Sequence, residues 1–327
     1  MNVFLQYCRV VFVAFAVLGL TVQGALAQGW PTRSVRIIVP FEPGGGTDIQ
    51  GRLLSKKFTE SLGQTFIIEN RAGASGLIGA ELVARAPADG LTFLMTTASL
   101  SVATTLYKSR MKFDPVKDLQ SVSWLSSVPL VLTVKLGLPV RDVKEFIAFA
   151  KKPGNTLNAA SNGPGTTSHL AIEFLNQVTG ANVTHVPYKG GGPASASVLS
   201  GETDFVFQTA VAIQPHVRSG KVRPLAVTTA KQSSAFPALP TMNSIFPGFV
   251  LDNWYSIFAP AGTPQEIVTR LHAEILKAIK SDEIRNFMAS EGADPVASTP
   301  EQLTSMFDDE IKKYAKLIKE RNVTVDK

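Results

Sequence analysis

Three consecutive glycines precede a pattern that predicts an amphipathic helix, and this placement favours the binding of an anion. The loop Pro40–Asp48 joins a short apolar segment to that helix. Glycines permit a tight turn and leave backbone N–H groups accessible, while the positive end of the helix dipole lies at the same place. Thr47 is expected to cap the helix, because Thr47 and Gln50 have the spacing of a capping box.

The same glycines do not complete either of the common nucleotide-binding motifs. A P-loop requires lysine and then serine or threonine after its last glycine, whereas Gly51 is followed by Arg52 and Leu53. A dinucleotide-binding loop requires a third glycine where Ile49 stands. A small anion is the favoured ligand, and a tight turn that binds nothing is the alternative.

Three further loops combine glycine with hydroxyl, amide or basic residues, and each follows a predicted strand. They lie at residues 71–76, 162–168 and 188–193. Ligands of open α/β sheets bind beyond the carboxyl ends of the strands. Two of the four loops fall in each half of the chain, so two such faces meeting at a cleft would surround a small anion with backbone donors.

Side chains suited to catalysis do not form a coherent set. The four histidines lack the spacing of a zinc site; His169 is expected on a helix surface or at the cleft, and His185 in a structural role. Asp48 is expected to have a lowered pKa at a helix N-terminus, which suits a capping or ligand-orienting carboxylate better than a general base. Two readings are open for Lys189, which would either pair with a ligand carboxylate or lie at the cleft rim. Two are also open for Trp254, which would either contact the ligand or pack at the hinge or in the domain core.

Short apolar runs alternate with helical periodicities, which predicts an α/β fold. Strands at 34–40, 65–69 and 91–97 with helices at 47–62 and 75–86 form a βαβαβ unit, typical of a parallel sheet. The pattern restarts with strands at 130–134, 157–161, 183–188, 204–208 and 223–229 and helices at 140–152, 166–178, 193–200 and 211–219. After a strand at 254–259, capping boxes at 263–266 and 299–302 predict C-terminal helices.

These two sets of elements predict two α/β domains with a ligand cleft between them. The first domain is expected to be discontinuous, with residues 28–125 and 251–327, and the second to contain residues 126–250. The chain would cross near Trp124–Val128 and Phe249–Asn253. Two crossing segments permit hinge closure over the cleft.

The first 27 residues have the layout of a secretory signal peptide, and cleavage is expected after Ala27. The apolar run Val10–Leu20 has 11 residues, whereas a membrane span needs roughly 20. Cys8 is the single cysteine, so the mature chain would lack disulfides, thiolate metal sites and cysteine nucleophiles. The formal charge is +6 with the basic residues dispersed, so no nucleic-acid partner is expected.

At its glycine-rich loops the sequence resembles the Bug family, the extracytoplasmic solute receptors of tripartite tricarboxylate transporters. The matching stretches run in family order along essentially the whole mature chain. They are PFEPGGGTD at 40–48, ENRAGA at 69–74, ADG at 88–90, YKGGGPA at 188–194 and WYSIFAPAGTP at 254–264.

The resemblance implies a type II periplasmic-binding-protein fold whose cleft closes by hinge motion. Its ligands are small carboxylates, namely amino-acid dicarboxylates, di- and tricarboxylates, and aromatic acids such as nicotinate. It also implies membrane transporter subunits as partners, a monomeric receptor, and no cofactor or metal.

The resemblance further implies that backbone groups and bridging waters hold the carboxylate. Glu42 departs from the family, in which this position is often small or apolar, and a carboxylate there would repel an anion unless it points outward. The implied ligand-binding positions are Phe41, Gly45, Gly46, Thr47, Asp48, Ala98, Ser99, Ser161, Gly163, Thr166, Ser168, Tyr188, Lys189 and Gly190.

Three functions are therefore considered. The first is a periplasmic receptor that captures a small carboxylate for a transporter, without enzymatic activity. The second is a sensor of the same fold that presents its ligand to a membrane signalling protein. The third, a periplasmic two-domain enzyme, is disfavoured because no coherent catalytic set is present.

Overall fold

The structure is a computed structural model that describes residues 29–233, 235–320 and 322–323. The expected signal peptide lies outside the described residues. Within the described part of the chain, no helix is both long and apolar enough to cross a lipid bilayer.

The first half of the chain forms the expected βαβαβ unit. Its strands are β1 (Val35–Val39), β2 (Phe66–Asn70) and β3 (Thr92–Thr97), and both neighbours pair with β1 in parallel. Helix α1 (Gly46–Leu62) connects β1 to β2, and α2 (Leu77–Ala84), preceded by a short 3-10 turn, connects β2 to β3. Leu54 and Phe58 of α1 are buried in one cluster with Ile37 and Val39 of β1, which fixes the loop after β1 against this sheet.

Helix α3 (Ser99–Leu106) follows β3 directly and was not predicted. Four of its eight residues are serine or threonine, which have modest helix propensity, and it has no side-chain cap. Packing stabilises it instead, because it lies against the C-terminal helix of the chain. The four-residue helix α4 (Pro115–Asp118) then leads into the next strand.

Strand β4 (Leu119–Lys135) runs through both halves of the molecule. Residues 119–129 pair with β9 (Asp252–Pro260), and residues 130–134 pair with β7 (Phe205–Thr209). The prediction of a separate strand beginning at Leu130 was therefore wrong. The segment near Trp124–Val128 is continuous strand, with register shifts near Ser121 and Trp124 that bend it.

The second half is a second α/β unit. Strand β5 (Leu157–Ser161) lies between the parallel strands β6 (Val183–Pro187) and β7, while β8 (Val222–Val227) pairs with β4. The predicted order of elements from β5 to β8 is confirmed, with bounds shifted by a few residues, whereas the short helix Met242–Ile245 was not predicted. The helices are α5 (Val143–Ala150), α6 (Thr167–Thr179), α7 (Gly191–Ser200), α8 (Ala210–Arg218) and α9 (Met242–Ile245).

Helices α10 (Gln265–Lys280), α11 (Asp282–Ser290) and α12 (Pro300–Glu320) and the short strand β10 (Asp294–Pro295) complete the described chain. The capping box before α12 is confirmed, because Thr299 and Gln302 exchange hydrogen bonds. The one before α10 is wrong, since the Thr263 hydroxyl instead donates to the carbonyl of Pro260.

Candidate ligand-binding cleft

Loops from both halves converge on one cavity at the carboxyl ends of the parallel strands. The space that they enclose measures about 20 Å³, enough for a single water molecule. Its lining is mostly polar and contains no lysine or arginine. The lining residues are Phe41, Glu42, Gly45, Gly46, Thr47, Asp48, Thr97, Ser99, Asn162, Thr167, Gly191, Gln208, Thr209, Asn253 and Tyr255.

The start of α1 meets the cavity without a side-chain cap. Gly45 is the N-cap residue in an extended conformation, and no side chain accepts a hydrogen bond from the first turn. The first N–H groups of a helix lack partners within it, so these donors are available to a ligand. The prediction of Thr47 as the cap was wrong, since Thr47 lies inside the helix.

Asp48 is tied into a network that braces the loop. Its carboxylate pairs with the Arg52 guanidinium at 2.9 Å and accepts hydrogen bonds from the Gly44 N–H at 3.1 Å and the Asn70 amide at 3.1 Å. Asn70 also donates to the Phe41 carbonyl at 2.9 Å. Burial raises the pKa of the Asp48 carboxyl, but the hydrogen bonds from Arg52, Gly44 and Asn70 together lower it below its ordinary value. Asp48 is thus a compensated anion that fixes the loop, not a general base.

The two halves touch at their glycine-rich loops. The Glu42 N–H donates to the Lys189 carbonyl at 2.9 Å. A Cβ atom on Gly192 would lie 2.1 Å from the Pro43 carbonyl oxygen, and one on Gly45 would lie 3.3 Å from the Gly191 nitrogen. A side chain is excluded at Gly192 because one backbone lies directly against the other.

A second contact joins the loop after β2 to the loop before α6. The Ser75 hydroxyl and the Tyr107 hydroxyl both donate to the Pro164 carbonyl, the latter at 3.1 Å. Ser75 has φ of 57° and its neighbour Ala74 has φ of 46°, which is strained for residues other than glycine. This strain lies at a place where the two halves meet.

The loop before α6 satisfies its own donors. The Thr166 hydroxyl accepts from the His169 N–H at 3.4 Å, and the Ser168 hydroxyl accepts from the Asn162 N–H at 2.8 Å. The Gly165 N–H donates to His169 Nδ1 at 3.0 Å. Of the residues 161–168, only Asn162 and Thr167 line the cavity. The candidates Ser161, Gly163, Thr166 and Ser168 lie behind the wall.

At the start of α7, Gly191 lines the cavity. The neighbouring candidates Tyr188, Lys189 and Gly190 do not line it. The Tyr188 hydroxyl donates to the Glu202 carboxylate at 2.8 Å, and the Lys189 side chain is exposed. After β3, Ser99 lines the cavity and Ala98 does not. Glu42, which was expected to point away or repel an anion, is half-buried and lines the cavity.

Five lining residues are neither candidates nor part of the loops that sequence reasoning selected, and Thr97, at the end of β3, is one of them. Gln208 and Thr209 end β7, and Asn253 and Tyr255 lie on β9 beside the end of β3. The Gln208 amide donates to the Gly191 carbonyl at 2.9 Å, and its oxygen accepts from the Thr209 N–H at 2.9 Å. Their signal in the sequence is a polar residue interrupting an otherwise apolar strand.

Trp254, His169 and His185 lie outside the cavity lining. Trp254 is 2% exposed and packs edge-on against Phe307, so core packing is the correct reading. His169 and His185 stack at 4.2 Å behind the loop before α6, and His169 is buried, not on the surface. Burial, then the neighbouring His169 charge, lowers the pKa of His185 to about 4 despite Glu173. Among the described residues, no group of three metal-ligating side chains converges.

Comparison with known proteins identifies one family. The family model described as tripartite tricarboxylate transporter family receptor matches residues 51–323. BugT of Bordetella pertussis is 36% identical over 95% of this chain and 95% of its own length.

Two solved structures extend this likeness to the fold. The periplasmic binding protein BugD superposes with a TM-score of 0.87 at 31% identity, covering 90% of this chain and 99% of BugD. Rpa4515 of R. palustris, solved with adipate, gives a TM-score of 0.87 at 35% identity, covering 90% of this chain and 99% of its own. The predicted two-domain α/β fold of periplasmic binding proteins is confirmed.

Proposed function

The chain belongs to the tripartite tricarboxylate transporter receptor family, and from this premise we propose that it captures a small carboxylate in the cleft between its two halves. It is a periplasmic solute receptor by family, and the resemblance to Bug proteins is confirmed. What we propose for this chain is that its own ligand is a small carboxylate.

The observation that carries the proposal is the uncapped N-terminus of α1 at the cavity. Its free N–H groups and the positive end of its dipole favour a carboxylate. Helix α7 begins opposite without a side-chain cap, at Gly190, and adds a second set of donors. The bound adipate of the relative Rpa4515 is a ligand of this chemical class.

Among the sequence-derived candidates, we assign direct contact with the ligand to those that line the cavity. The candidates behind the wall hold the loops in place. The assigned direct contacts are Phe41, Gly45, Gly46, Thr47, Asp48 and Ser99, supported by their position in the lining.

Ligand entry requires the halves to separate. A cavity of about 20 Å³ is too small for a carbon chain, so the contacts between Glu42 and Lys189 and between Ser75 and Pro164 must break and re-form. We assign the hinge to β4, which pairs in both sheets, and to residues 249–253, which lead into β9. Residues 28–125 and 251–327 would move against residues 126–250.

Export and delivery complete the proposal. The signal-peptide pattern supports export, with cleavage after Ala27. We assign to the mature protein the role of a monomer that passes its ligand, chemically unchanged, to membrane subunits of the tripartite tricarboxylate type. The lack of a coherent catalytic set in the described cleft supports binding without turnover.

Mass spectrometry of the natively purified protein tests the function directly, since a tightly held ligand accompanies it. A thermal-shift screen of mono-, di- and tricarboxylates follows, with the corresponding amides as uncharged controls. A carboxylate at a hundredfold excess over its Kd should stabilise the protein by about 2.7 kcal/mol, and its amide should not. Equal shifts from acid and amide, or conversion of the bound acid to a product, would refute the proposal.

A further inference from the structure

Strand β9 directs two polar side chains without hydrogen-bond partners toward the cleft. Tyr255 is 1% exposed and Asn253 is 2% exposed. Neither the Tyr255 hydroxyl nor Asn253 Oδ1 finds a partner among the described residues, and both residues line the cavity. Positions two apart on a strand share one face. Since buried polar groups are nearly always paired, two adjacent unpaired ones at a cavity point to a ligand.

The Tyr255 hydroxyl lies beside the first residue of α1, next to the site of the proposed carboxylate. A Cβ atom on Gly46 would lie 2.0 Å from the Tyr255 hydroxyl oxygen and 2.8 Å from the Thr209 hydroxyl oxygen. Thr209 lies beside this hydroxyl and slightly favours its ionisation, but the two do not form a hydrogen bond of normal geometry. The third glycine of the loop thus leaves space for the tyrosine tip at the start of α1.

The charges at the cavity favour an uncharged group at this position. No lysine or arginine lines the cavity, and two carboxylates, those of Glu42 and Asp48, do. Arg52 compensates Asp48, whereas Glu42 has no ion-pair partner in the part of the chain that the structure describes. A second ligand carboxylate would therefore find no basic side chain in the lining.

The two side chains complement a neutral polar group. Burial raises the pKa of the Tyr255 hydroxyl, so it stays protonated and donates. The Asn253 amide offers both an acceptor and donors. A hydroxyl or carbonyl oxygen can accept from Tyr255, and a hydroxyl can also donate to Asn253.

We propose that Asn253 and Tyr255 form a second subsite that binds an uncharged hydroxyl or carbonyl group of a monocarboxylate ligand. The subsite rests on the proposed function, because the carboxylate at α1 orients the rest of the ligand. It makes the protein selective for hydroxy or oxo acids over both plain fatty acids and dicarboxylates.

The test is isothermal titration calorimetry with three matched series of acids, of four, six and eight carbons. Each series contains the plain monocarboxylate, its hydroxy and oxo derivatives, and the dicarboxylate. The tightest hydroxy or oxo acid should bind about tenfold or more tightly than the plain acid and the dicarboxylate of its length. A dicarboxylate as the tightest ligand would overturn the subsite.

Tyr255→Phe separates ligand recognition from structural support. It should abolish the tenfold preference for the hydroxy or oxo acid while changing the plain acid's affinity by less than about threefold. An equal loss for every acid would assign Tyr255 to packing and overturn the subsite. Asn253→Ala is the second variant, with the same expected pattern.

Tyr314→Phe is the matched control. Tyr314 is also fully buried, but its hydroxyl donates to the Asp252 carbonyl at 3.3 Å and lies outside the cavity lining. It should leave all affinities unchanged and lower the melting temperature more than Tyr255→Phe, which removes no hydrogen bond.

The two proposals fail in different ways. If no acid of any series binds, the carboxylate function fails and the subsite fails with it. If the dicarboxylates bind best, or if Tyr255→Phe weakens all acids alike, only the subsite is refuted and the carboxylate function stands.

Discussion

Helices α1 and α6 begin in the same way in the sequence and differently in the structure. Each follows a strand and a glycine-containing loop, and each starts at the cleft with threonine in its first turn or at its cap. At α6 the Thr166 hydroxyl caps the helix and the His169 ring takes the Gly165 N–H. At α1 the N-cap is Gly45, and the first turn has no side-chain cap.

The difference teaches which kind of glycine-rich loop can bind an anion. Donors that are already paired with the protein's own side chains are not available to a ligand. At α1 the acidic side chain of the first turn, Asp48, turns back to the Gly44 N–H and to Arg52. It stiffens the loop without occupying the donors at the helix start. We infer that α1 serves the ligand and α6 serves the fold.

The strongest test of this comparison is Gly46→Ala at the start of α1. The added Cβ would collide with the hydroxyl of Tyr255, whose ring is buried among other side chains. The start of α1 would be pushed from the cavity, and we expect an affinity loss of about a hundredfold with about 1–3 kcal/mol of destabilisation. Calorimetry with the acid identified by mass spectrometry measures the first and chemical denaturation the second.

Two further variants check that result. Gly137→Ala is the matched control, because nothing lies within 4 Å of its Cβ position, and it should bind like the wild type. Tyr255→Phe combined with Gly46→Ala removes the hydroxyl and should recover part of the stability, although the ring carbon remains at 3.0 Å. Full affinity in Gly46→Ala alone would contradict the assignment of α1.

Acid should loosen the loop of α6 before that of α1. The pKa of His185 is lowered to about 4 by burial and by His169, so between pH 6.5 and 4 the unfolded chain binds a proton there that the folded chain does not. Stability is therefore complete above pH 6.5 and falls as the pH drops, by about 2–3 kcal/mol in total. Asp48, with its lowered pKa, stays ionised over that range.

Denaturation between pH 7 and 4 measures this loss, and His185→Gln should remove most of it. His272→Gln, on α10, is the control and should keep the wild-type pH slope. Hydrogen exchange should increase at the N–H groups of Gly163, Gly165 and Thr166, whereas exchange of the Gly44 N–H, which donates to Asp48, should stay unchanged. Equal loosening of both loops would contradict the comparison.

Much of the fold followed from the sequence because it depends on local signals. Apolar runs and helix periodicity depend on residues that are close in the chain. The same holds for turn glycines such as Gly180, which ends α6 in a left-handed conformation. The prediction for strand β4 was too short, because β4 pairs with strands of both sheets and these partners are distant in the sequence. Helix α3 was missed for a related reason, since packing on α12 outweighs its weak propensity.

Only part of the candidate site could be predicted from the sequence. Loops that carry glycine could be located, and the residues of the α1 loop do line the cavity. Whether a given N–H is free depends on where nearby side chains turn, and the sequence does not record that. The roles of Thr47 and Thr166 are therefore indistinguishable by type. Trp254 and Tyr255 are adjacent aromatic residues, and the sequence does not show which of them faces the cleft. Because side chains alternate along a strand, only Tyr255 lies at the cavity.

Threonine substitutions at the two helix starts should have opposite effects. Thr166→Ala removes the cap of α6 and the hydrogen bond to the Gly163 carbonyl at 2.7 Å. It should cost about 1–2 kcal/mol of stability and change ligand affinity by less than about threefold. Thr47→Ala removes no cap and should reduce affinity with little loss of stability. The reverse pattern in calorimetry and denaturation would exchange the roles assigned to the two helices.

The smallest expected effect belongs to Lys189, the one basic residue among the sequence-derived candidates. Its backbone carbonyl accepts from Glu42 across the cleft, but its side chain is exposed and outside the cavity lining. An exposed charge mainly influences the association rate at low salt. Lys189→Ala should thus change Kd less than about twofold at 0.15 M salt, as measured by calorimetry. A loss near that of Gly46→Ala would mean that the α7 side holds the carboxylate by charge, and recognition by backbone donors at α1 would then be wrong.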